Sequence, residues 1–499
     1  MGNGSRLGPP LVSLVTAAAD AGGLYMVWVW ALWMTGVLLG SSAVAVEAEQ
    51  VDAFVVEELG YSAAPGVAYA IIDGGESVAR SAGTTTRGGR QEVSPHTRFP
   101  LGSVSKSFTA LAVMQLVEAG EVRLDDPVSA TLPAFAEGPA KEVTILQLLN
   151  HTSGYSTAQG NRLHALEPST PTQLSTYAAT LARLPPARAP GSVWAYSNTN
   201  YQILGAVIEE VSGLRYPDYV RRRILEPLGM TETTVGGEAS TADTVTGHRP
   251  WFGGVRAYEA PRSEPVHDPA GGLTSSAHDM ALYMAMWLNG RDDVLSAEGK
   301  ARMMQPSSPI SPWYGLGWAI DAESGSVYHS GLVPGAEALA MLDPARGRSV
   351  VVMVNANGGF GFSDTTRLLN GVVAHALEHP EESGSLVGPK VAFLSVAVPA
   401  PLFVLSAFVS WRGRSALRAK RESGAGRFSL WFPLVITVGL AWFLLQVLPG
   451  FFGGSFATIQ LFQPDFALCL VATAAAGLAW AVLRLGLAYG QRGGSEPVA

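Results

Sequence analysis

Three apolar stretches near the C-terminal end constrain this chain most, because each is long enough to cross a lipid bilayer. They cover residues 391–411, 428–448 and 466–486, and a membrane helix needs about 20 apolar residues. The whole chain is 47% hydrophobic and only 15% charged, but this apolar excess is concentrated at its two ends. The sequence therefore predicts a folded middle domain followed by a three-helix transmembrane region.

Charges beside these stretches predict their orientation. The loop over residues 412–427 carries six basic side chains against one acidic one, which is typical of a cytoplasmic loop. Near the N-terminus, the apolar run over residues 24–39 is followed by Ala43 and Ala45, small residues that fit a signal-peptidase site. Residues 1–46 are therefore a signal peptide or, alternatively, an uncleaved anchor. Both features predict a multi-pass protein of the cell membrane with an extracytoplasmic domain at 47–378 and a linker at 379–390.

The middle domain separates its predicted strands from its predicted helices. A hairpin is expected at residues 67–84 around Gly74-Gly75, and four more strands are expected between residues 316 and 354. Helices are expected at 47–59, 201–211, 216–225, 280–288 and 366–377, and polar loops at 232–265. This order predicts the α+β class, an antiparallel sheet flanked by helices plus a helical lobe.

A serine and a lysine three residues apart form the first candidate catalytic element. Ser103 and Lys106 open an apolar-periodic run that ends near Glu118, and Gly120 follows as a helix stop signal. Both side chains are therefore expected on one face at a helix N-terminus. A serine hydroxyl is a weak nucleophile until a base removes its proton, and a lysine can be that base when burial lowers its pKa. Only five of the 33 basic residues are lysines, so a lysine at this position favours chemistry over simple charge.

Two further elements carry side chains suited to the same chemistry. Tyr196 and Asn198 stand in the segment Tyr-Ser-Asn, where a phenol can relay a proton and an amide can hold a lysine and a carbonyl. His329, Ser330 and Gly331 lie on a predicted strand. A glycine there allows an extended substrate to approach the strand edge, where a backbone N–H can stabilise an oxyanion.

Together these elements resemble those of the serine β-lactamases and penicillin-binding proteins. The resemblance is strongest to the branch of class C β-lactamases, D-alanyl-D-alanine carboxypeptidases and family VIII esterases. It covers roughly residues 50–378 and includes ordered phrases at 102–106, 124–128, 148–154, 196–201, 226–230 and 270–273. The membrane part lies outside it. The resemblance implies a β-lactamase/transpeptidase-like fold with a deep pocket between a helical lobe and a sheet lobe.

The resemblance also implies roles for individual residues. Ser103 would form an acyl-enzyme, Lys106 and Tyr196 would share the base and acid roles, and Asn198 would orient Lys106 and the substrate. The oxyanion hole would consist of the backbone N–H groups of Ser103 and Leu332. Substrate contacts would come from Asn198, His329, Ser330 and Gly331. Here His329 replaces the lysine of class C β-lactamases, which argues against efficient antibiotic hydrolysis, and Ser330 replaces threonine, which keeps the hydroxyl.

Other histidines offer weaker alternatives. His151 suggests a Ser–His triad, but no paired acid is evident, and a loop histidine that fixes the backbone is the preferred interpretation. His267 and Asp268 suggest a metal pair, but the sequence offers no third and fourth ligand at motif spacing. His96 and His278 are interpreted as surface or capping residues. Trp313, Tyr314 and Trp318 either line the pocket or pack in the core. No cofactor or metal is predicted.

Two classes of function are consistent with this pattern. The first is a serine hydrolase that acts on a D-Ala peptide, amide, ester or β-lactam, so that its partners are a small-molecule or peptidoglycan-peptide substrate and membrane lipid. The alternative is a catalytically weak penicillin- or peptidoglycan-binding membrane protein. A sensor that operates mainly through its membrane part is a third possibility. A net charge of −8 without a basic face argues against nucleic-acid binding.

Overall fold

The computed structural model of the chain describes residues 48–162, 173–236, 243–259, 264–362, 364–380 and 385–490. The predicted signal peptide or anchor at 1–46 lies outside the described residues.

A six-stranded antiparallel sheet forms the centre of the domain, in the order β2-β1-β11-β10-β9-β8. Two small sheets accompany it, one of strands β3-β7-β4 and one of strands β5-β6. The strands are β1 (Gly66–Asp73), β2 (Glu76–Gly83), β3 (Phe99–Pro100), β4 (Thr234–Val235), β5 (Gly247–Trp251), β6 (Gly254–Tyr258), β7 (Leu273–Ser275), β8 (Ala319–Ile320), β9 (Val327–Val333), β10 (Ala336–Asp343) and β11 (Arg348–Val354).

The first hairpin forms where the sequence predicts it. Strands β1 and β2 pair antiparallel from Gly66 opposite Gly83 to Asp73 opposite Glu76. Gly74 and Gly75 have φ values of 57° and 89°, and two consecutive positive φ angles are what a tight two-residue turn requires. The four predicted late strands correspond to β8–β11, which confirms the antiparallel sheet.

Helices cover both faces of this sheet and build the adjoining lobe. Their bounds are α1 (48–59), α2 (Ser105–Glu118), α3 (Val128–Thr131), α4 (Ile145–Leu149), α5 (Thr157–Asn161), α6 (Leu174–Leu181), α7 (Asn198–Ser212), α8 (Tyr216–Val220), α9 (Glu226–Leu228), α10 (Asp268–Gly271), α11 (Ala277–Leu288), α12 (Ala297–Met303) and α13 (Thr366–Leu377).

Strand β1 explains why the sheet needs helices on both faces. Its Ala68, Ala70 and Ile72 belong to the large core that includes α2, α7 and α11. Its Val67, Tyr69 and Ile71 belong to a second core with α1 and α13. Since successive side chains of a strand point to opposite faces, a nearly continuous apolar run is expected for a strand buried on both sides.

Beyond the domain, the described part of the chain contains three helical segments long and apolar enough to cross a membrane: Val387–Arg412, Gly424–Phe451 and Pro464–Tyr489. They contain and extend the three predicted stretches. The third packs against the first, with the Trp480 indole donating to Ser410 Oγ at 3.2 Å and the Thr473 hydroxyl donating to the Val396 carbonyl at 2.6 Å.

One expectation about the chain's organisation is wrong. The segment at 232–265 was expected to consist of loops, but strands β5 and β6 pair there from Gly247 opposite Tyr258 to Trp251 opposite Gly254. Strand β5 carries His248, Arg249 and Pro250 and so lacks the apolar alternation that predicts a strand. The first membrane-length helix begins at Val387, inside the range predicted as a linker, 379–390.

Candidate active site

Ser103 lies in a tight turn that is pressed against strand β9. A 3₁₀ turn at Gly102–Val104 joins β3 to α2, so Ser103 precedes the α-helix by two residues. Gly102 has a φ of 52°, and a Cβ there would lie 2.6 Å from the backbone nitrogen of Leu332. A Cβ on Gly331 would overlap the Leu101 carbonyl. Both glycines are therefore required for the close approach that brings the backbone of Leu332 beside Ser103.

Lys106 lies under Ser103 and is fully buried. Its Nζ is 3.1 Å from Ser103 Oγ and donates to the carbonyl of Ala270 at 2.6 Å. Burial lowers the pKa of the Lys106 amine well below its ordinary value, because desolvation disfavours the charged form. A neutral amine retains a lone pair, and the Ala270 carbonyl restricts the orientation of that amine. Lys106 can therefore accept a proton from the Ser103 hydroxyl.

Tyr196 approaches Ser103 from the loop before α7. Its hydroxyl is hydrogen-bonded to the Ser103 side chain, and its ring centroid is 5.0 Å from Lys106 Nζ. Burial raises the pKa of the Tyr196 phenol, and the hydrogen bond with Ser103 offsets only part of this rise. The phenol therefore keeps its proton at neutral pH and is suited to donate it. The opposite pKa shifts of Lys106 and Tyr196 separate a base from an acid.

His151 holds the loop that carries Tyr196. Its carbonyl accepts from the backbone N–H of Ala195 at 2.9 Å, and its Nδ1 accepts from the N–H of Ser197 at 3.1 Å. The Asn200 amide lies 3.0 Å from the same Nδ1. Burial lowers the pKa of the His151 imidazole well below its usual value, so the ring is neutral. These contacts support the preferred interpretation of a backbone-fixing histidine.

His329 is buried on β9 beside the other site residues. Its Nδ1 lies 2.7 Å from the Ser330 carbonyl, and its Nε2 lies 3.3 Å from the hydroxyl of Tyr314. Burial is the main cause that lowers the pKa of His329 to about 3, and the nearby Lys106 adds to this shift. At neutral pH the imidazole is therefore uncharged and offers no positive charge to a substrate carboxylate.

Three of the four predicted substrate contacts, Asn198, His329 and Ser330, line one common cleft. Ser103, Tyr196, Asn198, His329 and Ser330 all line it, together with Leu332. Gly331 and Lys106 are not among its lining residues. Asn198 begins α7 and donates its amide to Asn161 Oδ1 at 3.1 Å, whereas its predicted role toward Lys106 remains a prediction.

Several groups at the site were not assigned by sequence reasoning. The phrase at 270–273 was recognised without a role, and the structure places its Ala270 carbonyl on Lys106. Asn161, which contacts Asn198, has no motif of its own. Tyr314 packs against His329, whereas Trp318 is fully buried in the core and Trp313 is exposed. A pocket-lining role for Trp318 is therefore excluded.

Within the described residues, one group of side chains offers ligand atoms close enough for a metal ion. His96, Glu232 and His278 each place one such atom within 4.8 Å of the others. His96 and His278 are exposed and Glu232 is half-buried, and none of the three lines the cleft. His96 Nδ1 is 2.7 Å from Glu232 Oε1, so a hydrogen bond already accounts for that pair.

Comparison with known proteins identifies the family of this chain. The sequence model described as beta-lactamase matches residues 51–373. Penicillin-binding protein 4 of Amycolatopsis lactamdurans is 31% identical over 347 residues, covering 62% of this chain and 86% of that protein. Protein flp of Staphylococcus aureus (strain MRSA252) is 26% identical over 439 residues, covering 82% of this chain and 83% of that protein.

The fold comparison points to the same group of proteins. The solved structure of the octameric penicillin-binding protein homologue from Pyrococcus abyssi superposes with a TM-score of 0.58 at 28% identity, covering 67% of this chain and 78% of that one. The family match spans more than half of the chain. This chain belongs to the beta-lactamase family, whose members include penicillin-binding proteins.

Proposed function

We propose that this protein is a membrane-anchored serine hydrolase that acts through an acyl-enzyme formed on Ser103. The observation that carries the proposal is the buried Lys106 amine, 3.1 Å from Ser103 Oγ and with a lowered pKa. A base with a depressed pKa beside a serine is the arrangement that activates the hydroxyl. The alternative of an idle binder does not account for a buried amine kept in this position.

The proposed reaction follows from the positions of these groups. Lys106 removes the Ser103 proton as Oγ attacks the substrate carbonyl, and the N–H groups of Ser103 and Leu332 stabilise the oxyanion. Tyr196 then donates its proton to the leaving group. A water molecule then transfers a proton to the Tyr196 phenolate as it attacks the resulting ester. Lys106 returns its proton to Ser103 Oγ as that oxygen leaves, which releases the acid and restores all three side chains.

Charge at the site favours esters and amides over substrates that carry a carboxylate. His329 is neutral, and the described residues that line the cleft include no lysine or arginine, although they include Glu259 and Asp364. A β-lactam or a C-terminal D-Ala carboxylate would gain little attraction there. We therefore infer that turnover of short esters and D-amino-acid amides exceeds that of cephalosporins.

Labelling tests the function most simply. Membranes containing the full chain are treated with a fluorescent fluorophosphonate or a fluorescent penicillin, in parallel with Ser103→Ala. The proposal expects fluorophosphonate labelling of the unaltered chain that is lost in Ser103→Ala. Equal fluorophosphonate labelling of the unaltered chain and of Ser103→Ala would overturn it. If the unaltered chain bound the penicillin but was not labelled by the fluorophosphonate, the idle binder would be favoured.

Orientation is a separate part of the proposal. The basic 412–427 loop supports a cytoplasmic position, which puts the domain and the cleft outside the membrane. Protease added to intact spheroplasts is then expected to remove the domain. Full protection of the domain, with cleavage only after lysis, would contradict this orientation.

A further inference from the structure

The cleft that contains Ser103 extends to the membrane-length helices. It encloses ≈ 1750 Å³, which is more than a small acyl substrate needs. Ser103 and Tyr196 line one part of it, whereas Phe452 and Phe462 from the connection between the second and third membrane-length helices line another. The catalytic domain and the membrane region therefore share one cavity.

The connection is held in place by hydrogen bonds to the catalytic domain. It includes a short helix at Phe456–Phe462. The Asn161 amide donates to the Gly453 carbonyl at 2.9 Å, and Arg249 donates to the Leu461 carbonyl at 2.9 Å. Gln463 in turn donates to the carbonyl of Gly358 at 2.8 Å. Polar contacts on several sides make this segment a fixed wall of the cleft.

Aromatic side chains dominate this wall. The ring of Phe360, which follows β11, lies 4.4 Å from that of Phe466 and 5.9 Å from that of Phe452. Phe360 has a φ of 36°, a strained backbone conformation that persists only when surrounding contacts impose it. Phe452 remains 50% exposed, so its ring is available to a ligand.

We propose that the cleft binds an amphiphile, an ester or amide whose carbonyl reaches Ser103 while its apolar chain lies along Phe360, Phe452 and Phe462 toward the bilayer. The inference rests on the proposed hydrolase function and membrane anchoring. A short polar substrate would leave this aromatic wall facing water, which proteins rarely do over a large area. A chain already partitioned in the bilayer enters the cleft without crossing bulk water.

The test compares a short and a long substrate on the full chain in phosphatidylcholine vesicles. Nitrophenyl butyrate and nitrophenyl dodecanoate carry the same leaving group and differ only in acyl chain length. Phe452→Ala removes a ring from the wall, and Phe451→Ala is the matched control, because Phe451 is 76% exposed and does not line the cleft.

We expect Phe452→Ala to lower kcat/KM for the dodecanoate by about tenfold or more, the usual worth of a buried aromatic contact, with the butyrate within about twofold. Retained butyrate turnover shows that the variant is folded, and Phe452→Leu is expected to restore most of the dodecanoate activity. Phe451→Ala should leave kcat/KM unchanged for both esters, because Phe451 does not line the cleft. Partitioning of the esters into the vesicles is the same for all variants and so does not affect the comparison.

Two outcomes would overturn the inference. One is an equal decrease of kcat/KM for both esters in Phe452→Ala, and the other is an unchanged kcat/KM for both. These outcomes leave the hydrolase proposal intact, because the unaltered chain still hydrolyses both esters and Ser103→Ala hydrolyses neither. Failure of the unaltered chain to hydrolyse any ester would instead overturn the proposed function itself.

Discussion

Replacing Gly102 with alanine is expected to disable the site without unfolding the domain. The new Cβ would lie 2.6 Å from the Leu332 nitrogen, and reaching the 3.4 Å of an ordinary contact requires a shift of 0.8 Å. The positive φ adds a backbone cost of roughly 1–2 kcal/mol for a residue with a Cβ. The collision displaces the backbone N–H of Leu332, which we propose stabilises the oxyanion.

The size of the kinetic effect follows from that displacement. Oxyanion donors act at about 2.7–3.1 Å, and losing one typically lowers kcat by about 10²–10³-fold. Gly102→Ala is therefore expected to lower the kcat for a short nitrophenyl ester by about two orders of magnitude. The assay is steady-state hydrolysis, with thermal unfolding measured on the same samples.

Gly120→Ala provides the matched control. Gly120 follows the same helix α2 and has a φ of 73°, but nothing lies within 4 Å of its Cβ position. Gly120→Ala therefore has the same backbone cost as Gly102→Ala but no collision, so we expect a small loss of stability and nearly unchanged kcat. If Gly102→Ala kept kcat within about threefold of this control, a value far below the usual worth of an oxyanion donor, the proposed oxyanion hole would be refuted.

Three further predictions concern proton transfer and specificity. Because the neutral Lys106 amine is the base, kcat/KM should rise with pH through the lowered pKa of Lys106. It should then stay level, since the raised pKa of Tyr196 keeps the phenol protonated. A kcat/KM that instead falls from pH 6 to 8 would contradict the assignment. Tyr196→Phe should slow acylation by about 10²-fold or more in stopped-flow measurements, whereas an unchanged acylation rate would remove the phenol from the acid role. His329→Lys should improve nitrocefin turnover relative to ester turnover by adding a cation, and an unchanged ratio would show that charge at this position does not set specificity.

Much of the fold could be predicted because its signals are local. The paired glycines between β1 and β2 require positive φ angles, and the closing helix Thr366–Leu377 matches its predicted bounds. Strands buried on both faces are visible as short apolar runs. The β5–β6 hairpin escaped prediction because His248 and Pro250 interrupt the alternation, and its pairing depends on contacts with distant segments.

The candidate site was partly predictable for a related reason. Ser103, Lys106 and Tyr196 carry side-chain chemistry at motif spacing, and the structure brings them together. The Ala270 carbonyl is a backbone group, which has no residue-specific signature, so its contact with Lys106 appears only in three dimensions. The aromatic wall at Phe452 could not be inferred either, because periodicity identifies a span but not the domain that it contacts.

Trapping the acyl group during turnover tests the central proposal most directly. The full chain is mixed with a nitrophenyl ester, quenched in acid within the first turnovers, digested and analysed by mass spectrometry. The proposed mechanism predicts the acyl mass on the peptide that contains Ser103, and no such adduct together with loss of turnover in Ser103→Ala. An acyl group on a different residue, or undiminished turnover by Ser103→Ala, would contradict it.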